Sequence, residues 1–204
     1  MANLIALDVG VAYSRVESGR IKEPDNISFW PGRDEVVYKV PTRVAYMTDH
    51  KGPTAWGFIR PKRRETVEKY FKLSLDPSLL LSAEQTDPDD EDFNIEDVRK
   101  WFTDFLGALR DWINQTLEKE YGVSLASEST TVEYVFSVPT TWNTNVVSDY
   151  EKIINNAGYN KAAGHTAKIG LTEAEAAAVY TSIDHAKSGQ KKFQVSQLSG
   201  SVVL

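Results

Sequence analysis

None of the 204 residues is cysteine. A disulfide framework and a thiolate metal site are therefore excluded, and a cytoplasmic or nuclear location is the expectation. Histidine is scarce, and His50, His165 and His185 stand far apart, without the spacing of a metal site. Apolar runs are short: none approaches the ~18 residues that a bilayer span requires, and Met1 to Asp8 lacks the basic flank and length of a secretory signal. No internal repeat or low-complexity block is present. Basic charge does not dominate either. With 23 Lys and Arg against 29 Asp and Glu, the net charge of −6 argues against broad capture of nucleic acid or of anionic membrane.

What is there reads as an ordinary globular chain, 41% hydrophobic and 25% charged, long enough for one sizeable domain or two small ones. Leu4–Leu7 is a strand pattern ended by Asp8-Val9-Gly10, and Tyr13–Glu17 a second, which puts Gly10 in or near a hairpin turn. Ile27–Trp30, Val36–Val40, Arg43–Met47 and Ala55–Phe58 are further strand patterns, and Pro61–Leu73 reads as a helix with proline in its first turn. After an acidic loop (85–92), Asn94 and Asp97 form a capping-box pattern at the head of a long helix. Its apolar stripe runs Val98, Trp101, Phe102, Phe105, Leu109, Trp112, Ile113 and Leu117, both tryptophans being read as core, and Gly122 stops it. Then come a strand at Val132–Val138, a helix at Asn143–Ala157 closed by Gly158, a short strand at Ala167–Ile169, and an alanine-rich helix at Glu173–Ala186. This order implies an α/β or α+β fold with a mixed sheet.

Three constellations carry possible chemistry. Asp8-Val9-Gly10-Val11-Ala12-Tyr13 places a carboxylate at a strand end before a glycine, an arrangement that can orient a hydrated cation and admit a phosphate to backbone N–H groups. An ordinary hairpin carries the same pattern. The second is Val135–Trp142, with Val138-Pro139 at the strand end. The third, Leu171–Ala178, sets Glu173 at a helix start, where the helix dipole favours a carboxylate and where it can also position a water for attack on a phosphate. Arg60–Arg64 is a basic cluster that reads as a solvated helix start, and Lys72 as either a solvated or a phosphate-touching lysine.

In this order the three pieces resemble the heat-shock-protein-70 branch of the actin-like ATPases, closest to its divergent, fungal-type members. The runs Lys39–Tyr46, Ala55–Phe58 and Tyr70-Phe71-Lys72-Leu73 add to the likeness, which covers roughly residues 3–187. The resemblance implies an actin-like (ribonuclease H-like) lobe, with a mixed central sheet flanked by helices. Residues 1–32 and 116–187 would form the core lobe, 33–115 an inserted α+β subdomain, and 188–204 a tail. It implies that Asp8, Gly10, Val11, Ala12 and Tyr13 are a phosphate loop, with Asp8 also the candidate metal ligand. Lys72 would be a phosphate-binding lysine and Glu173 a catalytic carboxylate.

The departures shape the functional expectation. Val11 and Ala12 stand where the family has hydroxyl side chains, Ala174 stands where it has proline, and no second glycine-rich phosphate loop occurs in these residues. The family's nucleotide lies between two lobes, so these residues supply one side of the site. The expectation is a truncated, degenerate relative acting as a nucleotide-independent binding or scaffold protein. No cofactor is expected, with ATP and Mg only if the missing lobe is supplied. Its partners would be a second copy or another protein on the face the second lobe would cover, with no nucleic acid and no membrane. The alternatives are an enzyme that holds a small molecule in the half-cleft through Asp8, Lys72 and Glu173, and a fragment of a longer ATPase.

Overall fold

A computed structural model describes residues 8–17, 20–21, 25–48, 51–76, 94–125, 127 and 130–187. The chain is a mixed α/β protein, with eleven strands and four helices among the described residues. The strand expected at Leu4–Leu7, the acidic loop at 85–92 and the tail at 188–204 lie outside them.

The first strands are short. β1 (Asp8–Gly10) pairs antiparallel with β6 (Lys39–Pro41), β2 (Ala12–Tyr13) with β5 (Asp25–Asn26), and β3 (Val16–Glu17) with β4 (Arg20–Ile21). This corrects the hairpin expected at Gly10. The chain stays extended through Val11, whose carbonyl accepts from Ile27 N at 2.9 Å, so the partner of β2 comes from residues 25–27 rather than from β1. Gly10 lies opposite Lys39 inside the ladder, where a Cβ would stand 3.3 Å from the Tyr38 carbonyl oxygen. The strand expected at Ile27–Trp30 is irregular; Ile27 and Trp30 are buried anchors, and Trp30 Nε1 donates to Val37 O at 2.7 Å.

β7 (Arg43–Tyr46) runs between β8 (Ala55–Trp56) and β9 (Thr66–Lys69), both antiparallel to it. The helix expected over Pro61–Leu73 is thus β9 followed by the single-turn α1 (Phe71–Ser74). Two residues with left-handed backbones, Arg64 (φ 83°) and Tyr70 (φ 62°), bracket the strand and break any continuous helix. Between them the β-branched pair Thr66-Val67 finds partners in Tyr46 and Ala45, and such residues favour a paired, half-buried strand over a helix.

α2 (Ile95–Tyr121) is the spine. Asn94 accepts from the backbone N–H groups of Glu96 and Asp97, while Asp97 accepts from Asn94 N, so the expected capping box is present. Gly122 closes the helix in a left-handed conformation. The buried stripe follows the expected one, except that Leu106 joins it and Trp101 and Trp112 sit at its rim, only partly buried. Trp112 lies there because its indole N–H donates to Phe29 O at 3.3 Å. α2 packs on β7, α1 and the next helix, α3 (Thr144–Asn156), and Tyr46 Oη ties β7 to it by donating to Asp104 at 2.8 Å. The division expected between residues 115 and 116 falls inside this unbroken helix.

β10 (Val132–Val138) and β11 (His165–Thr172) are parallel, joined through α3 as a β-α-β unit, and α4 (Glu173–Lys187) follows β11 without a break. α3 ends at Gly158 (φ 91°), where a Cβ would collide with the Arg110 guanidinium, which donates to the Ala157 carbonyl. The strands among the described residues form five separate small sheets, so the single central mixed sheet expected from the sequence is not seen there. One buried cluster nevertheless runs from Ile27 through α1, α2 and β10 to Tyr159.

Candidate functional site

Parallel strands carry their carboxyl ends to the same edge of a sheet, the usual place for a site in α/β folds. Here Val138, leading to Pro139, and Thr172, leading to Glu173, pair directly at that edge. Just before it the register slips, Phe136 pairing with Ile169 and Ser137 with Leu171, so that Gly170 is the extra residue of a bulge. A bulge of this kind re-aims the residues that follow it.

Thr172 and Glu175 then close a reciprocal cap. Thr172 Oγ1 accepts from Glu175 N at 3.2 Å, and the Glu175 carboxylate accepts from Thr172 N at 2.7 Å and from its hydroxyl at 2.9 Å. These hydrogen bonds hold the Glu175 carboxyl below its ordinary pKa. Glu173, between them in the sequence, is free of capping duty and projects from the first turn of α4.

Its partner is Lys72. Lys72 Nζ donates to Glu173 Oε1 across 101 residues of sequence, with side-chain exposures of 9% for the lysine and 29% for the glutamate. Lys72 is carried by α1, whose neighbours Phe71 and Leu75 are fully buried, so the ammonium is held from below. An aromatic cluster begins at Phe71, the residue before Lys72. Phe71 packs on Phe102 at 5.4 Å between ring centroids and on Phe105 at 5.8 Å; Phe102 packs on Tyr150 at 5.2 Å, and Trp142 and Phe136 meet Tyr150 edge-on at 5.3 and 6.0 Å. Burial pushes the Tyr150 phenol far up, and the negative charge of Glu173 pushes it further, which sets Tyr150 within electrostatic reach of that carboxylate.

Two of the expected site residues, Lys72 and Glu173, are therefore brought together. Of Asp8 the backbone alone is described, in β1 opposite Pro41. Gly10 lies in the same ladder, Val11 is half-buried and Ala12 exposed. Tyr13 is drawn to the far end of α2, where its hydroxyl donates to Glu120 at 2.7 Å and its ring meets Tyr121 edge-on at 6.3 Å. Among the described residues no three His, Cys, Asp or Glu side chains gather as a metal site. A hydrated cation at this pair would meet the Glu173 carboxylate, with water or phosphate oxygens as further ligands. His165 is structural, its Nε2 lying 2.8 Å from Leu125 O. Arg60–Arg64 is exposed, as expected of a solvated basic cluster.

Sequence reading did not find Tyr150 or the left-handed Tyr70. Tyr150 reads as one more apolar position on an amphipathic helix, and no residue type signals a left-handed tyrosine. It also missed the open groove of about 460 Å³ between α2 and α3. There Arg99 bridges Glu96 and Asp149, and Lys152 meets Asp149 at 3.0 Å, holding the Asp149 carboxyl below its ordinary pKa. Opposite charges satisfy one another in that groove, which joins two helices.

At the carboxyl edge of β10 and β11, then, an ammonium of the kind that binds anions is paired with a carboxylate of the kind that orients water or accepts a proton. No family model, curated protein or solved structure matches the chain.

Proposed function

We propose that the chain contains an actin-like lobe of the heat-shock-protein-70 type, whose Lys72–Glu173 pair is one wall of a phosphate site. The observation that carries this reading is the meeting of those two side chains at the carboxyl edge of a parallel strand pair. The resemblance singles out both residues for phosphate chemistry from segments 101 residues apart. ATP would supply the phosphates to be bound and Mg²⁺ the charge that offsets them. Lys72 would contact a phosphate oxygen and Glu173 would orient a water.

On these residues alone the wall has no opposite side. Val11 and Ala12 offer no hydroxyl, and no second glycine-rich loop is present in the sequence. In this reading the chain by itself is a weak nucleotide binder that works as a binding or scaffold module. Its contact face would include Val135, 54% exposed on β10, and the exposed Ala177 and Ala178 of α4. A calorimetric titration with Mg-ATP tests this. The expected dissociation constant lies above about 1 mM, equivalent to only about −4 kcal/mol. Micromolar affinity, or steady ATP turnover lost in Glu173→Ala, would overturn the nucleotide-independent role.

A further inference from the structure

We propose that the Lys72–Glu173 ion pair is an autoinhibitory latch: an anion of the phosphate class binds this chain only by displacing Glu173 from Lys72. The inference rests on the reading of Lys72 as a phosphate contact.

Three features make the glutamate the moving part. First, Glu173 is the more exposed partner, at 29% against 9%, so an anion arriving from solvent meets a carboxylate before it meets the ammonium. Second, the start of α4 is held by Thr172 and Glu175 rather than by Glu173. Swinging the Glu173 side chain away breaks no capping hydrogen bond. Third, the lysine is anchored. It belongs to a single helical turn whose flanking Phe71 and Leu75 are buried, and Tyr70 sets the direction of that turn with a left-handed backbone.

Electrostatics forbid the anion and the carboxylate from sharing the ammonium without cost. Both are negative, and Tyr150, within electrostatic reach of Glu173, belongs to a buried aromatic cluster with Phe102 and Phe71, surroundings that screen charge poorly. An anion that replaces Glu173 gains a desolvated lysine, and the displaced carboxylate gains water. The resting pair lowers the affinity for an anion by the free energy needed to part it.

The test uses the full chain and inorganic tripolyphosphate at low ionic strength without divalent cation, followed by calorimetric or NMR titration. Glu173→Gln is expected to bind at least about tenfold more tightly than the native chain. Lys72→Met should abolish the binding, and the double variant should match Lys72→Met. Glu173→Asp keeps the charge but shortens the reach, and it too should bind more tightly, which separates the latch from a general loss of negative charge. Thermal melts establish that each variant is folded, and should Glu173→Gln not fold, Glu173→Asp carries the comparison. Equal affinity in native, Glu173→Gln and Glu173→Asp proteins would overturn the latch and leave the anion site standing. So would a gain from Glu173→Gln that persists in the Lys72→Met background. Absence of binding in every folded protein would overturn both the latch and the phosphate reading beneath it.

Discussion

Tyr70 has a left-handed backbone (φ 62°, ψ 7°) and a side chain that is 55% exposed. Little packing therefore accounts for a conformation that costs a non-glycine residue about 1 kcal/mol. What the conformation does is turn the chain out of β9 and into α1, two residues before Lys72. The Tyr70 carbonyl then accepts from Leu73 N at 2.8 Å, closing that turn. Tyr70→Gly is expected to raise stability by up to about 1 kcal/mol, because glycine adopts this geometry freely. Tyr70→Val is expected to lower it by about 1–2 kcal/mol, since a β-branched residue tolerates positive φ poorly. Urea denaturation of the two variants checks the pair. Destabilisation by glycine as large as that by valine would show that the tyrosine ring, not the backbone, matters here.

Helix starts are built twice from the same device. Asn94 with Asp97 opens α2, and Thr172 with Glu175 opens α4, each side chain satisfying a backbone donor that the first turn leaves unpaired. At α4 the cap has a second consequence, because it releases Glu173 for Lys72. Thr172→Ala should cost about 1 kcal/mol at neutral pH and fray the first turn of α4. The pH dependence has a definite sign. Glu175 has a folded-state pKa below its unfolded value, so its contribution is present above the unfolded pKa and is lost as pH falls through the folded one. The backbone N–H of Thr172 remains in the alanine variant, so only the part carried by the Thr172 hydroxyl is removed. The cost of Thr172→Ala should therefore shrink modestly on acidification through the carboxylate range. Denaturation curves at neutral and acidic pH measure this; because the alanine keeps the Thr172 N–H that Glu175 also accepts from, a cost independent of pH would mean that Glu175 does not act through the Thr172 hydroxyl.

At the scale of the molecule, the sheets are many and the core is one. Four of the five small ladders contribute to a single buried cluster, the β3–β4 ladder being the exception, and α2 runs through that cluster from Val98 to Leu117. A helix that contributes to every part of the core couples their unfolding. The described part is therefore expected to unfold in one transition. Its five tryptophans, at 30, 56, 101, 112 and 142, lie on both sides of residue 115, so fluorescence reports on both expected parts. Urea curves from fluorescence and from far-ultraviolet circular dichroism should coincide. Two separated transitions would instead support residues 33–115 as an independent subdomain.

The long helices α2 and α3 are legible in the sequence because their signals are local. The hydrogen bonds of α2 and α3 close over four residues, their caps lie at Asn94, Gly122, Asn143 and Gly158, and their apolar stripes recur every three or four positions. β10 was readable for a related reason: a seven-residue run with Val138-Pro139 at its end has few other ways to be buried. Strand partners were not. Whether Gly10 turns back on Tyr13 or lies against Lys39 depends on which distant segment supplies the missing hydrogen bonds, and that choice belongs to the whole chain. The same holds for Pro61–Leu73, where pairing with β7 overrode the helical pattern. Motif likeness could name Lys72 and Glu173. Their contact arises because α1 is docked on α2 and α4 begins where a bulged parallel strand ends, and no residue nearby in sequence to either could have set that distance.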